Sequence, residues 1–72
     1  MHRYLIIIEK TNRNYPAYSP DVPGCIATGK TRAQTTERMH EAITLHIQRL
    51  KEDGETIPIA QASADYFTVS SV

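Results

Sequence analysis

Apolar and polar positions change rhythm four times along this chain, and each change predicts an element. Residues 4–10 (YLIIIEK) open with an aromatic, a Leu and three Ile before the charges begin. A continuous apolar run of this kind predicts a strand with both faces at least partly covered. Thr11-Asn12-Arg13-Asn14 is polar and of hairpin-turn length. Residues 14–19 (NYPAYS) then predict a second strand. Pro16 cannot donate to a ladder, which predicts an edge position for that strand. Residues 19–24 (SPDVPG) carry two prolines and a Gly and predict a structured loop. From Cys25 to Gly29 the chain alternates, with Cys25, Ala27 and Gly29 on one side and Ile26 and Thr28 on the other. This is a third strand, antiparallel to the second.

The period then lengthens to that of a helix. Thr31 is a good N-cap residue, and Gln34 three positions on completes a capping-box pattern. Apolar residues follow at Ala33, Met39, Ile43, Ile47 and Leu50, flanked by Ala42 and His46, on one helical face. Gly54 and Pro58 are stop signals. The opposite face mixes Glu37, Arg38, Glu41, Arg49, Lys51 and Glu52, a solvated mixed-charge surface. Residues 55–63 read as a connector and 65–69 (DYFTV) as a final strand. The order βββαβ predicts an α+β fold: a two-layer sandwich, mainly antiparallel, with one helix packed on a face of the sheet.

Size and charge narrow the function. Seventy-two residues make one small domain, too short for the several βα units of a nucleotide-binding sheet. Eight basic and eight acidic residues balance, so no positive field is available to hold nucleic acid. A single cysteine excludes an internal disulfide framework. The apolar run at the N-terminus is too short for a signal-peptide core or a membrane span, which predicts a soluble cytoplasmic protein.

The candidate chemistry thins out on inspection. Residues 24–31 (GCIATGKT) match the phosphate-loop pattern G-x-x-x-x-G-K-[ST]. The pattern requires a buried strand before the first Gly, and SPDVP stands there instead. The structural expectation is that Gly24 closes a turn, Gly29 ends a strand and Thr31 caps a helix. His40 and His46 are six apart and do not share a helical face, and the second His of H-E-x-x-H would stand at Thr44. Cys25 is expected to pack as a small hydrophobe. Glu9, Asp21 and Asp65 lie on different elements with no spacing that joins them. No catalytic constellation, cofactor or metal is therefore expected. Tyr15 and Tyr18 lie on the expected edge strand, where alternation makes one core and the other surface; exposed Tyr there suits an interface, and packing within the monomer is the alternative.

Taken together, residues 18–25 (YSPDVPGC), 28–31 (TGKT), Glu41-Ala42-Ile43, and 52–55 (EDGE) with Ile57-Pro58 resemble the HicB antitoxin family over roughly residues 3–70. The resemblance implies a partial ribonuclease-H-like βββαβ fold without that fold's catalytic carboxylates. It also implies a role, neutralising a HicA-type toxin that cleaves mRNA by covering its catalytic surface. Homodimers or higher oligomers are a further expectation. Many members carry a C-terminal DNA-binding domain; here the sequence stops at Val72, so no such domain and no direct operator binding are expected. The partner-binding candidates are Tyr15, Tyr18, Asp21, Glu41 and Asp53, drawn from the second strand, the PDVPG loop, the helix surface and the helix exit. Two alternatives stand beside this reading: an orphan self-associating domain without a toxin partner, and a weak nucleic-acid-binding protein.

Overall fold

The computed structural model describes residues 2–70. Three strands form one antiparallel sheet: β1 (Ile7–Ile8), β2 (Ala17–Tyr18) and β3 (Ile26–Ala27), in the order β1-β2-β3. Their assigned cores are short, but the β1–β2 hairpin continues beyond them. The Glu9 amide donates to the Pro16 carbonyl at 2.9 Å and the Thr11 amide to the Asn14 carbonyl at 3.0 Å. Ile7 lies opposite Tyr18, and Tyr18 lies opposite Ile26. A 21-residue helix, α1 (Arg32–Glu52), packs on one face and completes the α+β layout expected from the sequence.

Alternation decides which residues meet the helix. Ala17 and Ser19 are buried while Tyr18 between them is exposed. Cys25 and Gly29 are buried with Ala27 half-buried, while Ile26 and Thr28 are exposed. The core is Ala17, Val22, Cys25 and Met39, with Tyr4, Ile6, Ile8, Ala27 and Ile43 packed around it. Met39 and Val22 are fully buried, each contributing on the order of 1.5–3 kcal/mol of apolar transfer.

The helix is capped as expected. The Gln34 amide donates to Thr31 Oγ1 at 3.0 Å, and Gln34 Oε1 accepts the Lys30 amide at 2.8 Å. Gly54 takes a positive φ of 67° and closes the C-terminus.

Three expectations need correction. First, β2 is the central strand, not an edge. Pro16 costs the ladder one donor, but its carbonyl still accepts from Glu9, so the strand pairs on both sides. Second, the helix face begins at Thr35 instead of Ala33. Thr35 is fully buried and Ala33 exposed, because the Thr35 hydroxyl finds the Tyr15 carbonyl at 2.6 Å. Third, 65–69 pairs with no strand among the described residues, and Tyr66 is 98% and Phe67 89% exposed. The partial cover expected of the first strand holds: residues 4–8 are all half-buried, although β1 lies at the sheet edge.

Candidate partner-binding surface

The face of the sheet away from the helix is open. The β1–β2 and β2–β3 registers place Ile7, Tyr18 and Ile26 in one row across it. Tyr18 is 44% and Ile26 73% exposed. Around them Glu9, Pro16, Ala17, Ala27 and Thr28 shape a shallow depression of about 530 Å³. A large aromatic beside an exposed β-branched residue, in a mainly apolar depression with Glu9 and Thr28 at its margin, is the composition of a protein-contact patch.

The five sequence-named candidates do not form one patch. Tyr18 stands in the middle of the open face. Tyr15 is half-buried on the helix side; its amide donates to the Gly29 carbonyl at 2.8 Å and its carbonyl accepts Thr35 Oγ1. The Asp21 carboxylate is engaged, accepting the Gln61 amide at 2.9 Å and the Ala62 amide at 2.7 Å. Glu41 is exposed on the helix, in the other layer, and Asp53 is exposed at the helix C-cap. Tyr18 and Glu41 therefore face different sides of the domain. Ile26 was not among the sequence-named candidates, although its outward position on β3 beside the polar Thr28 was legible.

The geometry also explains the phosphate-loop match. A phosphate cradle needs free backbone N–H groups around the loop. Here the Cys25 amide donates to the Val22 carbonyl at 3.2 Å and the Lys30 amide to Gln34. The Thr31 hydroxyl, which the pattern assigns to magnesium, caps the helix. Gly24 turns the chain at φ 87°. A Cβ at Gly29 would meet Thr35 Oγ1 at 2.8 Å, so this glycine lets strand and helix approach. Cys25 is buried, its thiol 3.9 Å from the Ala42 carbonyl, and burial pushes its pKa up, so it is a packing residue and a poor nucleophile. His40 is exposed and His46 half-buried, as the helical spacing implied. Among the described residues no three His, Cys, Asp or Glu side chains converge on a metal-sized site.

Comparison with known sequences decides the family. The model of the HicB-like antitoxins of bacterial toxin–antitoxin systems matches residues 4–70. The chain belongs to the HicB-like antitoxin family. A 14.9 kDa protein encoded in the rep-hol intergenic region of Haemophilus phage HP1 is 40% identical over 63 residues, 88% of this chain and 47% of that protein. A UPF0150 protein of Thermoplasma acidophilum is 37% identical over 57 residues, covering 78% of this chain and 83% of its own. One from Archaeoglobus fulgidus is 37% identical over 60 residues, covering 79% and 87%. These UPF0150 relatives are of the same family. The chain thus spans about half the length of the phage relative and most of the archaeal ones. Membership of a HicB-like antitoxin family points to a binding role and, in general terms, to a toxin partner. No helix among the described residues is long and apolar enough to cross a membrane.

Proposed function

We propose that this HicB-like chain is a cytoplasmic antitoxin that binds a HicA-type mRNA-cleaving toxin and covers its active surface, acting by occlusion and not by catalysis. The observation that carries the reading is the uncovered row Ile7–Tyr18–Ile26 on the open face of the sheet, in a chain of the HicB-like family. A rigid sheet face with an aromatic at its centre can bury a flat partner surface with little loss of side-chain freedom. Net charge is zero, so contact area and not long-range attraction supplies the affinity. Tyr18 is the central contact; Tyr15, Asp21, Glu41 and Asp53 are the remaining candidates. The domain also associates with itself, as a homodimer or a higher oligomer.

The test is titration of a purified HicA-type toxin with the wild-type chain and with the five single alanine variants, alongside growth rescue on co-expression. Tyr18→Ala is expected to weaken binding by about 2 kcal/mol, roughly 30-fold, the loss typical of a central aromatic anchor. Wild-type affinity in all five variants would remove the site assignment. Failure of the wild-type chain to bind or to rescue would remove the antitoxin reading itself.

A further inference from the structure

We infer that residues 65–69 form an exchanged strand: in a pair of copies, this segment of each chain adds to the β1 edge of the other. The inference rests on the self-association half of the reading above and not on the toxin.

One chain carries both halves of an unmade contact. The first half is β1. It is the most apolar stretch of the sequence, yet it sits at the sheet edge and none of residues 4–8 is fully buried. The amides of Glu9 and Thr11 point to β2, so by alternation the N–H and C=O groups of Ile6 and Ile8 point away from the sheet. Such an edge is a template for another strand. The second half is the tail. Tyr66, Phe67 and Val69 are 98%, 89% and 60% exposed, in a segment of aromatic and β-branched residues. Among the described residues no backbone hydrogen bond joins 63–70 to the sheet.

The connector sends the tail outward. The Tyr4 hydroxyl donates to the Pro58 carbonyl at 2.6 Å, and Asp21 holds the amides of Gln61 and Ala62. Ala62–Ala64 and Arg3–Ile6 line a cleft of about 440 Å³, and among the described residues no backbone hydrogen bond joins the two segments. Past that point the chain leaves its own body. The β3 edge is the poorer acceptor, because the outward carbonyl of Thr28 already accepts Arg38 Nη1 at 2.8 Å. Since each copy offers one apolar edge and one apolar strand, reciprocal addition closes a two-fold dimer with no edge left over on that side. Phe67 and Val69 share one side of the added strand. They extend the helix-side row of Ile6 and Ile8, whose burial the single chain leaves incomplete.

The test uses the full chain alone. Labelled and unlabelled copies are unfolded together, refolded and measured by light scattering and by isotope-filtered NMR. The expected mass is twice the 8.1 kDa of one chain, with transfer from the Phe67 ring of unlabelled copies to Ile6 and Ile8 methyls of labelled ones. A second sample, Phe67→Asp with Val69→Asp, should keep its helix, because these side chains lie outside the body of the fold. It should raise the dimer dissociation constant about 30-fold or more, the loss of a central contact. A monomeric wild type, contacts of Phe67 with Ile6 and Ile8 of its own chain only, contacts with the β3 edge, or an undisturbed dimer in the double variant would each overturn the inference. The toxin is absent from both samples, so either result leaves the antitoxin reading to its own assay.

Discussion

Replacing Gly29 by Ala tests the account of how sheet and helix fit together. The added methyl carbon would lie 2.8 Å from Thr35 Oγ1, 2.9 Å from the Thr35 amide nitrogen and 3.1 Å from Gln34 Cβ. Gly29 lacks the left-handed φ of Gly24 and Gly54, so Ala is conformationally acceptable and any loss is steric. Nothing nearby yields cheaply. Thr35 is fully buried and its hydroxyl is held by the Tyr15 carbonyl at 2.6 Å. Moving the first turn of the helix costs about 1–3 kcal/mol of overpacking, and stretching the Thr35–Tyr15 bond costs about 1 more. A domain of 72 residues has roughly 4–11 kcal/mol in total. A loss of about 2–4 kcal/mol should therefore lower the melting temperature by about 10–25 °C. Thermal unfolding followed by helix circular dichroism measures it. Thr35→Ala in the Gly29→Ala background should recover only part of the loss, since the amide nitrogen at 2.9 Å remains. A Gly29→Ala protein melting within about 2 °C of wild type, where surface changes fall, would refute the reasoning.

Two other outcomes follow from single contacts. Asp21→Ala should destabilise by about 1–2 kcal/mol, since a carboxylate accepting two amides is lost at a partly wet site. It should also speed hydrogen exchange at Gln61 and Ala62, while Asp21→Asn, which keeps an acceptor, should do less; unchanged exchange at both amides in the alanine variant would contradict the clamp. Burial raises the pKa of Cys25, so folding favours the neutral thiol. That stabilisation is complete below the unfolded thiol pKa and is lost as pH rises through the folded one. Wild type should therefore lose stability on the alkaline side more steeply than Cys25→Ala, and parallel pH curves for the two proteins would remove the effect.

Much of this architecture was legible because it rests on local signals. Thr31 and Gln34 announced the helix start, and alternation through Cys25–Gly29 sorted buried from exposed positions without knowledge of the partner strand. What escaped depends on residues far apart in sequence. A threonine reads as polar, and Thr35 is buried only because a carbonyl 20 residues earlier accepts its hydroxyl. Pro16 suggested an edge because one missing donor looks costly, yet the strand needed only its carbonyl toward Glu9. Residues 65–69 have strand composition, but a strand exists only with a partner, and composition does not name one. The candidate site followed the same division. Tyr18 was named for its residue type, and the structure puts it on the open face of the sheet. Asp21 was named for its charge, whereas the fold uses that charge on Gln61 and Ala62.

The bond from the Tyr4 hydroxyl to the Pro58 carbonyl spans 54 residues, whereas the Ile7–Tyr18 pairing spans 11. By the logarithmic growth of loop-closure entropy, joining the longer span costs about 1.4 kcal/mol more than the shorter. The hairpin and the helix can therefore form early from neighbouring residues, while the strap formed by the connector, residues 55–63, settles last. On the way out the order reverses: the strap lifts before the sheet parts. Limited proteolysis is therefore expected to cut residues 55–69 before it reaches the sheet and helix, so resistance to degradation depends on how firmly Tyr4 and Asp21 hold that segment.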